Sequence, residues 1–134
     1  MNPRYAHVAV RAGHRCEYCR APEAVFNFPF EVEHVKPRQL GGADDSPNLA
    51  LACRSCNLLK SDAVTAYDPV SGHEVPLFDP RSQTWSEHFT IDGRTLAIVG
   101  VTAFGRATVM KLRINSDLAI AARTQWRRLG LFPE

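Results

Sequence analysis

Two pairs of cysteines constrain this chain more than any other feature of its sequence. Each pair has the spacing C-x2-C, with Cys16 and Cys19 in the first and Cys53 and Cys56 in the second. A C-x2-C turn lets two thiolates point at one tetrahedral ion, and two such turns close a structural four-thiolate site. The spacing therefore predicts a bound Zn²⁺ whose four protein ligands leave no coordination position open for chemistry.

Other uses of these thiols are weaker interpretations of the same pattern. The N-terminal residues Met1–Arg4 lack the apolar stretch of a secretory signal, and no apolar run approaches the ~20 residues that span a bilayer. We therefore expect an intracellular, soluble protein with no membrane contact, in which thiols stay reduced and disulfides are unlikely to form. Paired redox thiols and an iron site of the rubredoxin kind stay open as alternatives.

Size and charge set looser limits. The chain has 134 residues, 45% of them hydrophobic, which fits one ordinary domain or a compact module with an extension. A formal net charge of +2 does not by itself require a nucleic-acid partner. Six basic residues and one acid, Asp117, lie between Arg106 and Arg128. This segment is equally consistent with a phosphate-binding surface and with a solvated helix face.

Capping residues and periodicity predict the elements of the first half. A helix is expected over residues 3–12, because Asn2-Pro3 suits a helix start and Gly13 a helix stop. Alternating apolar and polar residues predict a strand over 30–35, and a second short strand over 48–52 leads into Cys53. Helical residues follow Cys56. The predicted order is thus strand, loop, strand, helix.

The composition changes after residue 62, so we expect a core over 1–62 and an extension over 63–134. The extension begins with a stretch rich in proline and glycine that predicts an irregular connector. Runs of β-forming residues over 85–91 and 95–101 flank a short loop with Gly93 and predict a hairpin.

Two further helices are expected in the extension. Thr102 suits the cap of a short helix that ends near Leu112, and a last helix is predicted to start after Ser116 and stop at Gly130. Helical spacing predicts a buried stripe on the last helix, formed by Leu118, Ala121, Ala122, Trp126 and Leu129.

Polar residues occupy three places beside the predicted metal site. Glu33-His34 ends the first strand, Asn48 opens the second, and Asn57 directly follows the last cysteine. These places come together if both cysteine turns bind one metal, and Glu33 and Asn57 then offer oxygen ligands to a second ion beside His34. Phosphodiester hydrolysis needs such parts: an imidazole of pKa ~6.5 to take a proton from water, and a hard cation such as Mg²⁺ to neutralise the phosphate.

These residues resemble the HNH endonucleases, whose fold is the ββα-metal motif. The resemblance spans residues 16–62, and the segments after it resemble the extension of one bacterial subgroup of these proteins, so a bacterial cytoplasmic protein is expected. The matching motifs are Cys16-Glu17-Tyr18-Cys19, Glu33-His34-Val35-Lys36-Pro37, Gly41-Gly42, Asn48-Leu49 and Cys53-Arg54-Ser55-Cys56-Asn57-Leu58-Leu59-Lys60. The implied fold is α+β, with a ββα core, a structural four-cysteine zinc site, and a C-terminal hairpin and helices.

The resemblance also implies a role for each residue of the motif. His34 would be the general base, Glu33 would bind the catalytic ion, and Asn48 would lock the loop between the strands and so orient His34. Asn57 stands where many members carry a second histidine; its amide oxygen is a harder ligand that favours Mg²⁺ or Mn²⁺. Cleavage of DNA would leave a 5′-phosphate and a 3′-hydroxyl. The side chains expected to contact the nucleic acid are Lys36, Arg38, Arg54 and Lys60.

A noncatalytic zinc module that docks on DNA is the competing interpretation. It would use the cysteine turns as a scaffold and the basic C-terminal segment as a contact surface. The adjacent carboxylate and imidazole of Glu33-His34 argue against it, because an acid near phosphate without a metal repels the ligand. The sequence leaves open which DNA structure is attacked and whether two chains pair as a homodimer to cut both strands.

Overall fold

The structure is a computed structural model that describes residues 1–133. Within these residues it contains four helices and three two-stranded antiparallel sheets, an α+β architecture. The helices are α1 (Tyr5–Arg11), α2 (Arg54–Lys60), α3 (Ala103–Lys111) and α4 (Asp117–Arg128). The strands are β1 (Glu31–His34), β2 (Leu49–Ala52), β3 (Thr65–Tyr67), β4 (Glu74–Pro76), β5 (Phe89–Ile91) and β6 (Ile98–Gly100).

Helix α1 confirms the predicted N-terminal helix in a shorter form. The Asn2 side chain accepts a hydrogen bond from the Arg4 amide (2.8 Å), which satisfies one of the free donors at the helix start. Gly13 ends the helix with φ +65°, a conformation that favours glycine. Val8 and Ala9 are fully buried and anchor the helix to the core.

The predicted strand, loop, strand, helix order is present and forms the ββα core. Strand β1 pairs antiparallel with β2, so that Glu33 lies opposite Ala50 and His34 opposite Leu49. Every residue of β2 is buried. Helix α2 begins at Arg54, earlier than predicted, because Cys53 caps it and Cys56 lies within its first turn.

The connector predicted to be irregular contains the β3–β4 hairpin, so that prediction was wrong. Its turn is built by Asp68, whose backbone and carboxylate accept hydrogen bonds from the following residues. Arg106 of α3 binds both oxygens of the same carboxylate at 2.8 and 2.9 Å, and this contact lowers the pKa of Asp68. An ion pair between the buried Asp68 carboxylate and a partly exposed arginine of a distant helix thus orders a segment that local composition marks as loop.

The predicted second hairpin is present but shorter. Its first strand begins at Phe89, because Trp85–Glu87 form a 3₁₀ turn in which the Trp85 indole donates to the Tyr18 carbonyl at 2.8 Å. Both predicted helix caps are confirmed: Thr102 accepts from the Gly105 amide (3.1 Å) and Ser116 from the Ala119 amide (3.2 Å).

The buried stripe predicted for α4 was largely wrong. Leu118 and Leu129 are 85% and 65% exposed, and the one buried residue of the helix is Arg123. The predicted basic patch is therefore not one continuous surface, since Arg123 is enclosed and Arg106 binds Asp68. Only Ala122 and Trp126 of the expected stripe face inwards in part.

The extension packs directly on the ββα core. Trp126 contacts Phe26 with ring centroids 6.0 Å apart, Phe78 meets Tyr18 edge-on at 6.5 Å, and the Arg15 guanidinium donates to the Leu131 carbonyl at 2.6 Å. Among residues 1–133, no helix has both the length and the apolar character that crossing a bilayer requires.

Candidate metal centre and active site

The four cysteines converge on one point in the core. Their Sγ atoms all lie within 4.8 Å of one another, and the sulfurs of Cys19 and Cys53 are 3.7 Å apart. Zn–S bonds of about 2.3 Å in a tetrahedron place sulfurs about 3.8 Å apart. Burial raises the pKa of the Cys16 thiol well above its usual value, and a bound divalent cation would favour its thiolate form. The residues fit a structural zinc site.

Glu17 brings the two cysteine turns together. Its carboxylate accepts the Leu51 amide of β2 at 2.8 Å, while its own amide donates to the Leu51 carbonyl at 2.9 Å. Arg81 of the extension binds the other oxygen of the same carboxylate. The first turn is thereby fixed against the strand that leads into Cys53.

Arg123 supplies a buried positive charge beside the cysteines. Its guanidinium is 1% exposed and donates to the Leu96 carbonyl (3.1 Å), the Asn115 side chain (3.0 Å) and the Ile114 carbonyl. Burial lowers the pKa of Arg123, and the charges of three cysteines oppose that effect. Four thiolates around one Zn²⁺ would carry a net negative charge, which this cation from α4 would offset.

His34 lies at the end of β1 with its imidazole partly exposed. Its Nε2 atom is 2.8 Å from Oδ1 of Asp44, and this contact lowers the pKa of the Asp44 carboxyl. Arg4 and Arg38 also approach Asp44, at 3.4 and 3.7 Å. Because an ionised carboxylate only accepts hydrogen bonds, Nε2 is the donor in this contact.

Asn48 joins the two ends of the loop between β1 and β2. Its Oδ1 accepts the Lys36 amide at 3.0 Å, and its Nδ2 donates to the carbonyls of Lys36 (2.9 Å) and Ala43 (2.8 Å). Gly42 makes this closure possible, since a Cβ atom there would overlap the Lys36 carbonyl. The hydrogen bonds are those expected of a residue that locks the loop beside His34.

Glu33 is buried at 5% exposure and has protein partners on both carboxylate oxygens. Tyr18 donates to its Oε1, and the Lys60 ammonium lies 3.2 Å from its Oε2. Lys60 also donates to the Val35 carbonyl at 2.9 Å and is only 2% exposed. The expectation that Lys60 contacts DNA was therefore wrong: its positive charge neutralises Glu33 inside the protein.

Asn57 was expected to bind the second ion together with Glu33, and in this structure its side chain is hydrogen-bonded to Glu31. Its amide nitrogen donates to Oε2 of Glu31, whose Oε1 is 3.0 Å from the Arg54 guanidinium. Glu31 and Glu33 lie on the same face of β1, because alternate residues of a strand share a face. Both predicted ion ligands, Glu33 and Asn57, are thus engaged with protein partners in this structure.

The remaining predicted nucleic-acid contacts are at the surface. The Arg38 and Arg54 side chains are 67% and 75% exposed, and Lys36 is exposed on the loop that Asn48 closes. All three are close in sequence to His34 or Asn57, so they border the candidate site.

One known protein family matches the ββα core. The family described as HNH endonuclease matches residues 16–63, which include all four cysteines and the segment from Glu33 to Lys60. Residues 16–63 are therefore similar to the HNH endonuclease family. No curated protein and no solved structure matches the chain. The HNH segment supports a nuclease or DNA-binding role for the protein, and its four clustered cysteines indicate structural zinc.

Sequence reasoning missed Asp44 and Arg123. Asp44 lies in a polar loop where a carboxylate carries no signal of its own, and only folding of that loop places it 2.8 Å from His34. Arg123 was counted with the surface charges of α4. Arg123 lies one helical turn before Trp126, so the spacing indicates that both residues share one face of α4. An arginine on a buried face requires partners, however, and the sequence does not reveal them.

Proposed function

We propose that the protein is a metal-dependent endonuclease that hydrolyses DNA phosphodiester bonds, with His34 as the general base. The observation that carries the proposal is the 2.8 Å contact between His34 Nε2 and Asp44 at the exposed end of β1. This contact orients the imidazole and leaves Nδ1 able to accept a proton.

The loop between the strands holds the base in position. Asn48 links Lys36 to Ala43, and Asp44 follows Ala43 directly, so the same three hydrogen bonds fix both the loop and the partner of His34. A water beside Nδ1 would lose its proton to His34 as it attacks the phosphorus atom.

A divalent ion, Mg²⁺ or Mn²⁺, belongs to this proposal, with Glu33 and Asn57 as its protein ligands. When bound it would neutralise charge on the phosphate and on the departing oxygen. Each carboxylate oxygen of Glu33 can accept more than one hydrogen bond or ligand, so Tyr18 and Lys60 can orient it while one direction stays available. The amide oxygen of Asn57 is the atom suited to a hard cation.

Lys36, Arg38 and Arg54 are proposed to contact the phosphates that flank the cut. Their exposure permits this, and the acids paired with Arg38 and Arg54, Asp44 and Glu31, are partly exposed and release these arginines at little cost. Such contacts position the substrate without reading its sequence.

A noncatalytic DNA-binding module is the second candidate, and one observation favours it. The ammonium of Lys60 occupies one side of the Glu33 carboxylate, where it repels a divalent cation. In that case the zinc site, the exposed arginines and Lys36 would bind DNA without cutting it.

Supercoiled plasmid incubated with Mg²⁺ or Mn²⁺ tests the nuclease proposal. We expect nicking by the parent and a loss of at least 100-fold in His34→Ala, because the base would be gone while the zinc site is untouched. Zinc content and circular dichroism of the variant should match the parent. Cutting by His34→Ala at the parent rate would contradict the assignment of the base.

The same assay tests whether Glu33 or Glu31 is the carboxylate that binds the divalent ion. Glu33→Gln should be inactive at every metal concentration, whereas Glu31→Gln should keep cutting. The reverse result would move the ion ligand to Glu31, and DNA binding without cutting by the parent under all metals would favour the noncatalytic module.

A further inference from the structure

An open, aromatic groove lies beside the candidate active site. It has a volume of about 1110 Å³ and runs between the start of α1, the loop before β1, and α2. Phe26, Phe28 and Val32 contribute apolar surface to its lining, and Glu31, Arg54 and Asn57 form its polar end. The groove therefore joins a hydrophobic surface to the residues proposed to handle the phosphate and the ion.

Phe28 is the most exposed ring of this groove, at 79%. Phe26, by contrast, is held by Phe30 at 4.8 Å and Trp126 at 6.0 Å between ring centroids. Within residues 1–133, Phe28 has no such ring contact. An exposed aromatic side chain in a concave surface is typical of ligand contact.

The groove reaches the side of β1 that carries His34. Val32 lines the groove, and His34 lies two residues further along the same strand, so both side chains point to one face. Asn2 also lines the groove, and Arg4, two residues on, lies 3.4 Å from the Asp44 carboxylate that binds His34. A strand of nucleic acid that follows the groove would thus pass next to the proposed base.

The rim supplies charge complementary to such a strand. Arg54 is at the polar end with a side chain 75% exposed, and Arg38 and Lys36 extend the positive charge past His34. An intact duplex stacks its base faces on each other and presents mainly phosphates and base edges, so it gains little from an aromatic floor. Unpaired bases have free faces, which stack on aromatic side chains.

We propose that this groove binds unpaired nucleotides next to the cut, so that the preferred substrate is DNA with a single-stranded segment, such as a flap or fork. This inference rests on the proposed function. Phe28 provides the stacking surface, and Arg54 contacts the adjacent phosphates. Both residues specify the substrate and take no part in the chemical step.

Binding can be measured apart from cleavage. Fluorescence anisotropy in a His34→Ala background, with zinc retained and no Mg²⁺ or Mn²⁺ added, would compare a labelled fork with a blunt duplex of equal length. We expect the fork to bind at least tenfold tighter. Phe28→Ala should weaken fork binding about tenfold, the factor that follows from losing one stacked base, and should change duplex binding less than twofold.

Two control variants sharpen the test. Tyr67→Ala removes another exposed aromatic residue, 65% exposed on β3 and outside the groove, and should change neither affinity. Phe28→Trp should restore fork binding. The Phe28 effect should also be the same at all salt concentrations, whereas Arg54→Met should lower the salt dependence of binding.

Equal affinity for fork and duplex, or a Phe28→Ala variant that behaves like Tyr67→Ala, would overturn the inference. Neither result depends on whether the parent cuts DNA. Conversely, a parent that binds forks through Phe28 but cuts no substrate would support the binding of unpaired nucleotides in the groove and contradict the nuclease proposal.

Discussion

Several charged side chains of this protein are buried. Lys60 and Glu33 form an ion pair 3.2 Å apart with side chains 2% and 4% exposed, and Lys60 also donates to the Val35 carbonyl, next to His34. Desolvation of two charges offsets much of their attraction, yet removing only one partner leaves the other charge buried and unpaired. The pair therefore matters for stability and for the position of Glu33 more than for DNA contact.

Lys60→Met tests this assignment. We expect a loss of about 3–5 kcal/mol in the free energy of unfolding by urea, because Glu33 stays buried without its cation. Much of the loss should return in the double variant Glu33→Gln/Lys60→Met, which removes both charges.

Lys36→Met is the matched control, since Lys36 is exposed on the neighbouring loop. Its stability should stay within about 0.5 kcal/mol of the parent, while its DNA affinity falls and its salt slope decreases by about one. If Lys60→Met instead folds as stably as the parent and loses DNA affinity, the earlier expectation of a phosphate contact would be restored.

At the level of elements, close backbone contacts determine how the extension assembles. Helix α3 packs against β6 and the residue before β5 through Gly105, where a Cβ atom would overlap the His88 carbonyl. His88 itself is bound to Thr102, the cap of α3, at 2.7 Å. The helix start and the hairpin are thus joined at one crowded point.

Gly105→Ala should destabilise the protein by about 1–3 kcal/mol, because the methyl group forces the helix away from the hairpin. Gly93→Ala, in the hairpin loop, meets nothing within 4 Å and should be close to neutral. Urea denaturation of both variants measures the difference. Equal stabilities would show that the contact between Gly105 of α3 and the His88 carbonyl can accommodate a methyl group.

The molecule as a whole is organised around the metal site. The zinc ligands all precede residue 57, whereas both tryptophans, Trp85 and Trp126, lie in the extension. Trp85 donates to the carbonyl of Tyr18, between the first two cysteines, and α4 sends Arg123 towards the thiolates. The extension is therefore anchored on the structure that the metal holds together.

Removal of zinc should consequently unfold both parts together. With a chelator under reducing conditions, we expect tryptophan emission to shift to the exposed range with the same time course as zinc release, since structural zinc contributes about 10–16 kcal/mol in comparable small domains. Cys53→Ser should behave like the chelated protein. Unchanged tryptophan emission after complete zinc release would show that the extension folds independently.

The sequence by itself determined the parts of the fold that depend on local rules or on the spacing of a motif. The cysteine spacing, the ββα order, the caps at Thr102 and Ser116, and the glycine stop of α1 all follow from preferences of a few neighbouring residues. The loop-closing role of Asn48 was implied by resemblance to a known motif, and the observed hydrogen bonds agree with it.

Tertiary structure decided which charged side chains are buried and which partners they have. Lys60, Arg123 and Asp68 carry no sequence signal of burial, because the partners that satisfy them come from residues up to 38 positions away. The partner of His34 was likewise set by a loop conformation, and the groove at Phe28 by the packing of three separate segments. A charged side chain can be buried only where folding places an opposite charge or hydrogen-bond partners around it. Those partners come together only in the folded chain.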